Sequence, residues 1–217
     1  MAGVSFDTLS QKKTELVRKT IDLSLFVADH TADGITTLTD TDKGLKALPA
    51  GWDDLGLLTT DGIQHSRDVN VSDVRSAGRI DPSRSDITSD QTAIQVSAQE
   101  TKLTTIGLYT GQDMSGVTPD ATSGEVSIAK PARPRPKYYR AMSVGVDESD
   151  GGEIYIARYF PRVRVTNFDD QNYTSDEDEA LLWPVTLTAY VDSTAGYSER
   201  WLFGGPGWFS LLSEMGF

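Results

Sequence analysis

His30 and His65 are the only imidazoles in 217 residues, and cysteine is absent. A nucleophile–base pair must therefore join one of these histidines to a Ser or Thr. Ser66 adjoins His65, but the surrounding residues alternate as a strand does, and strand neighbours point to opposite faces. No Gly-x-Ser-x-Gly elbow occurs. Asp29, Thr31, Asp33, Gly34 and Asp40 stand at the spacing of a calcium loop, with Thr in the third place and Asp in the twelfth. The residues before them alternate like a strand where such a loop needs a helix, so the run reads as a turn. Asp176, Glu177, Asp178 and Glu179 could gather a cation, although clustered like charges in a loop are as a rule solvated. Arg133 and Arg135, set between prolines, suit an acidic neighbouring subunit better than a phosphate. Nothing singles out a carboxylate pair for glycoside hydrolysis. The expectation is no catalytic residue, no metal ligand and no cofactor.

The elements that would position any site read as strands. Ile21, Leu23, Leu25 and Val27 alternate with Asp22 and Ser24. Residues 35–39 suggest a second short strand, and 40–51 a long loop with Pro49 and Gly51. An Asp61-Gly62 turn leads into Ile63, His65, Arg67, Val69, Val71 and Asp73, alternating with Gln64, Ser66, Asp68, Asn70 and Ser72. Thr92, Ile94, Val96 and Ala98 alternate with Ala93, Gln95, Ser97 and Gln99. Each ribbon has a face of small or amide side chains without a cation. A helix over about 98–110 is expected from the Ser97-x-x-Glu100 capping spacing, Leu103, Ile106 and a closing Gly111. Strands follow at 138–146, at 154–156 and 163–165 with a break at Pro161, and at 181–191. The prolines of 130–137 exclude a central strand there. The sum is seven or eight strands, one short helix and no βαβ alternation: a mainly β sandwich or barrel of two packed sheets.

Bulk properties narrow the class. Thirty-two Asp and Glu face twenty Lys and Arg, a net charge of −12. A free nucleic-acid binder would carry a basic stripe. No apolar run approaches the roughly 18 residues of a membrane span, and Met1 to Lys13 lacks the apolar centre of a secretory signal, so no membrane insertion is expected. Trp201, Phe203, Trp208, Phe209 and Phe217 crowd a Gly-rich C-terminal stretch. So many aromatics must pack back on the chain or dock on another copy.

Two segments carry a resemblance. LPAGWDDLGLLTTDGIQHSRD (48–68) and TAIQVSAQETKLTTIGLYTG (92–111) resemble the major tail (tail tube) proteins of long non-contractile-tailed phages of actinobacterial hosts. The shared features are a Gly-Trp-x-Asp-Leu-Gly turn, an Asp-Gly hairpin, and a strand running through Glu100-Thr101 into the single helix. Residues 35–111 match best and 181–205 more loosely. The resemblance implies a β-sandwich with one flanking helix, hexameric rings stacked around a tape-measure protein, terminator and distal tail proteins at the ends, and double-stranded DNA passing without specific binding. It implies a virion protein made in the host cytoplasm. It divides the chain into an N-terminal arm (1–20), a sandwich domain (21–195) and a C-terminal arm (196–217).

On this reading Gln64, Ser66, Asp68, Asn70, Ser72, Gln95, Ser97 and Gln99 face the lumen, because cations there would grip phosphates. Ile63, Val69, Val71, Ile94 and Val96 turn into the sandwich. Trp201, Phe203, Trp208, Phe209 and Phe217 are candidates for inter-subunit contacts. The alternatives are another tail-ring component (terminator or distal tail protein), a carbohydrate-binding β-sandwich for host recognition, and an acidic hydrolase.

Overall fold

The alternating segments become strands of one antiparallel ladder in the computed structural model, which describes residues 3–133, 135, 137–175 and 180–217. After a short helix α1 (Phe6–Leu9) come β1 (Asp22–Asp29), β2 (Trp52–Asp54), β3 (Gln64–Val74), β4 (Arg84–Ala98), α2 (Leu103–Thr110), β5 (Tyr139–Ser149) and β6 (Gly152–Phe168). Then follow β7 (Trp183–Ala189), β8 (Arg200–Gly204), α3 (Pro206–Ser210) and α4 (Leu212–Met215). The strand order is β2-β1-β5-β6-β7-β4-β3, with β8 added on β6. The expected mainly β class therefore holds.

The ladder curls so that strands distant along it share a core. Leu25 and Val27 of β1, Ala141 of β5 and Phe160 of β6 pack with Ile94 and Val96 of β4 and Val185 and Leu187 of β7, all nearly inaccessible. Burying such side chains stabilises by roughly 1.5–3 kcal/mol each. The opposite face of β5–β6 carries a second cluster, Met142, Val144, Tyr155, Ala157 and Tyr159, roofed by Ile35 and Leu38.

β6 runs unbroken through Pro161, contrary to the expected break. The reason lies in its neighbours. β8 pairs with Tyr155–Tyr159 and β7 pairs from Val163 onward, while the β5 register shifts between Tyr139 and Ala141. Pro161 falls in that gap, where no ladder donor is missed. Residues 35–39 are not a strand either; they make one isolated bridge, Thr39 with Leu45, and contribute buried Ile35 and Leu38 instead.

Helix α2 starts at Leu103, later than the expected 98, because Ser97 belongs to β4. Thr105 takes over the capping role: its Oγ1 accepts the Lys102 N–H at 2.8 Å. Gly111 closes the helix in the left-handed conformation, φ 66°. Just before β3, Gly56 (φ 82°) lies so close to the Glu100 carboxylate that a Cβ would sit 2.2 Å from its Cδ. This closeness lets Glu100 accept the Leu57 N–H at 2.7 Å, tying the 55–58 loop to the helix start.

The terminal segments are held by the body. Lys13 pairs with Glu214, and Arg18 meets Asp147 at 3.4 Å. Within 196–217, read from sequence as an arm, Arg200–Gly204 is a strand of the sheet and α3 packs against β6.

Candidate functional site

The candidate site is the outer face of a four-stranded sheet made from β3, β4, β7 and the C-terminal part of β6. Register places the side chains. Gln64 is opposite Gln95, Ser66 opposite Ala93, Asp68 opposite Gln91 and Asn70 opposite Ser89. Gln95 is in turn opposite Thr186, Ala93 opposite Thr188, and Ser97 opposite Pro184. Directly paired residues share a face, so these side chains form one surface. Polar bonds cross it: Asn70 Nδ2 donates to Ser89 Oγ at 2.9 Å, and the hydroxyls of Thr166 and Thr188 meet at 2.7 Å. The alternate residues of β4, Ile94 and Val96, are buried while Gln95 is exposed and Ser97 half-buried.

The structure brings Gln64, Ser66, Asp68, Gln95 and Ser97 together on this surface. Asn70 and Ser72 continue it outward along the hairpin. Gln99 lies beyond the end of β4, with its N–H donating to the Leu57 carbonyl at 2.9 Å. Among the described residues, arginines also reach this face, Arg162 next to Arg164 included, since both alternate with the buried Val163. Arg84 is held by Asp86 at 2.6 Å, and Arg164 lies opposite Thr188, its guanidinium 5.6 Å from the Tyr190 ring.

The reverse face of β3 departs from expectation. Ile63 packs on the core, but Val69 is 40% exposed and Val71 54% exposed. Alternation puts these valines on one face; among the described residues nothing covers that face. Both strands of the hairpin are exposed on both sides from Arg67 to Gln91, so the ribbon projects from the body.

His65 anchors the ribbon's base. Its Nε2 lies 3.1 Å from Ser143 Oγ, and its ring stacks on Phe160 at 6.0 Å. Burial, aided by the Arg158 charge, pushes its pKa down to about 4. Arg158 is held by Glu199 at 2.5 Å, and Glu199 also accepts the Thr92 hydroxyl at 3.2 Å. A His–Ser contact spanning 78 residues leaves no local sequence signal. An imidazole that resists protonation is also a poor general base.

The aromatic residues form a row. Trp201 stacks on Phe203 at 6.0 Å, Phe203 on Trp208 at 4.8 Å, and Trp208 lies 6.1 Å from Phe217. The Arg158 guanidinium covers Trp201 at 4.2 Å, and the Lys43 ammonium sits 4.3 Å from the Phe209 ring. Trp201, Phe203, Phe209 and Phe217 remain 43–81% exposed.

Chemistry elsewhere is sparse. Asp29 accepts both the N–H and the hydroxyl of Thr31, and the N–H bond leads in holding its carboxyl below the usual range. Asp40 accepts the N–H groups of Asp42 and Gly44. Asp29 and Asp40, at the first and twelfth places of the calcium-like spacing, are thus turn acceptors. Asp192, buried and 2.8 Å from His30, accepts the N–H groups of Ala195 and Thr194. No cluster of three potential metal ligands occurs among the described residues. The acidic run Asp176–Glu179 lies outside them, as do Pro134 and Pro136 beside Arg133 and Arg135. No described helix is long and apolar enough to cross a membrane.

The family described as phage tail tube protein matches residues 25–203, from the core of β1 to β8. No curated protein matches the chain.

Proposed function

We propose, for a chain that belongs to the phage tail tube protein family, that the polar face of β3, β4, β7 and β6 lines the bore of stacked hexameric rings. Membership gives the coarse role, a structural component of the virion tail that assembles with other tail proteins. The finer reading concerns what passes through the tube: a tape-measure protein during assembly, then double-stranded DNA at ejection. Terminator and distal tail proteins close its ends.

The observation that carries the reading is a sheet with one dry and one wet side. The dry side supplies Ile94, Val96, Val185 and Leu187 to the core. The wet side offers mainly amides, hydroxyls and Asp68; of its arginines, Arg84 is paired to Asp86, and Arg164 sits on the edge strand β6 beside the Tyr190 ring. Duplex DNA slides past such a wall because few cations are present to release its counterions and hold its phosphates. Trp201, Phe203, Trp208, Phe209 and Phe217 supply contacts between rings, where stacked aromatics become interface anchors.

Negative-stain microscopy of the purified protein tests the assembly. Long hollow tubes are expected. Discrete monomers at high concentration, or a single unstacked ring, would instead favour a host-recognition sandwich or a terminator-type component.

A further inference from the structure

One corner of the polar sheet face is positive, although the chain as a whole carries a net charge of −12. Arg162 and Arg164 flank the buried Val163, so both project to the side that carries Thr166 and Thr188. Each is backed by an aromatic ring. The Arg162 guanidinium covers Tyr138 at 4.0 Å, and the Arg164 guanidinium lies 5.6 Å from the Tyr190 ring. The two tyrosines meet edge-on at 6.0 Å, and the Tyr190 N–H donates to the Arg162 carbonyl at 2.9 Å.

These arginines are held without being neutralised. Among the described residues no carboxylate pairs with Arg162 or Arg164, and the buried Nε of Arg162 has no acceptor. Asp192, two residues beyond Tyr190, is occupied by His30 and by the N–H groups of Thr194 and Ala195. Arg140 stands on the same side of the sheet and donates only to neutral oxygens, those of Ala32, Tyr159 and Pro161. Arg67, Arg84 and Arg158, by contrast, are each bound to an acid. A guanidinium stacked on a ring is fixed in place and keeps N–H donors for a second partner, and its planar fork fits phosphate oxygens.

The geometry points to a phosphate-contacting collar in the bore: Arg162 and Arg164, set on Tyr138 and Tyr190, touch the backbone of duplex DNA in transit and impose a salt-sensitive drag. The collar rests on the tube reading, since it needs this face to line the channel. Each ring presents the pair once per subunit. A duplex carries a phosphate charge for about every 1.7 Å of its axis, so a phosphate is near the collar at every stage of passage. Contact therefore persists as the helix advances, and the result is friction rather than a stop. Most of the wall remains amide, hydroxyl and acid, which confines the grip to one narrow band.

Ejection kinetics of phage carrying Arg162→Gln with Arg164→Gln test the collar, after microscopy confirms normal tails. Compared with wild type at the same salt, genome release is expected to be at least ~3-fold faster in about 20 mM NaCl and equal by about 300 mM. Arg162→Lys with Arg164→Lys keeps the charges and is expected to stay near the wild-type rate. Arg164→Gln alone, on an edge strand, gives the same acceleration in smaller measure should the double variant fail to fold. Wild-type release from the glutamine variants at low salt overturns the collar. So does normal release with impaired tail assembly, which would assign the arginines to an acidic protein in the bore. The Ser66→Lys, Asp68→Lys variant in the same assay separates the two claims. If it slows release while the glutamine variants change nothing, the collar fails and the lumen assignment stands; if neither changes release, both fail.

Discussion

His65 gives a pH dependence that can be worked out in advance. Unfolded, its imidazole titrates at the usual 6.5; folded, burial and the Arg158 charge bring it to about 4. Between those values the unfolded chain binds more protons, so acid favours unfolding. The stability is complete above pH 6.5, falls as the pH drops through the window and levels out below about 4. One pKa unit is worth about 1.4 kcal/mol, so the loss attributable to His65 is about 2 kcal/mol at pH 5 and about 3 kcal/mol at pH 4. The comparison is with His65→Asn, which keeps every other titrating group. Urea unfolding of both chains, followed by tryptophan fluorescence below the assembly concentration, gives two stability profiles. Their difference is expected to change by about 2 kcal/mol between pH 7.5 and pH 5, with the wild type losing more. Parallel profiles would refute the burial argument for His65, and with it the idea that this residue clamps the base of the β3–β4 ribbon against Ser143 and Phe160.

Other perturbations probe other links. Ile94→Ala removes a side chain with no solvent exposure at the centre of the core and is expected to cost about 2–5 kcal/mol in urea unfolding. Gly56→Ala forces a Cβ into a positive-φ position against Glu100; a loss of about 1–3 kcal/mol is expected, and an unchanged melting temperature would contradict the close approach. Replacing Ser66 and Asp68 together by Lys leaves tubes intact but slows genome ejection, most at low salt; ejection at the wild-type rate counts against the lumen assignment. Phe209→Ser with Phe217→Ser removes two aromatics that are more than half exposed, so the monomer keeps its melting temperature while tubes shorten or separate into rings.

Local pattern carried most of the fold and less of the site. Residues 92–98 alternate so cleanly that their buried and exposed faces follow from sequence alone, and the register with β7 matches. The same rule misplaced Val69 and Val71, because alternation tells which residues share a face and not whether anything covers it. The capping spacing at Ser97 misled for a related reason: the strand continued through Ala98, and Thr105 capped the helix instead. Pro161 looked like a breaker because its tolerance depends on β7 and β8 leaving a gap between them, a fact of topology rather than of neighbours in sequence. The strand at 200–204 was hidden by glycines and by exposed Trp201 and Phe203. The His65–Ser143 contact joins residues 78 apart and had no local trace.

The most direct test of the central claim is a density map of assembled tubes at side-chain resolution. Gln64, Ser66, Asp68, Gln95 and Ser97 should line the water-filled bore, with Ile94 and Val96 behind them in each subunit's core. Finding those polar residues on the tube's outer surface, or a bore lined mainly by lysine and arginine, would contradict it.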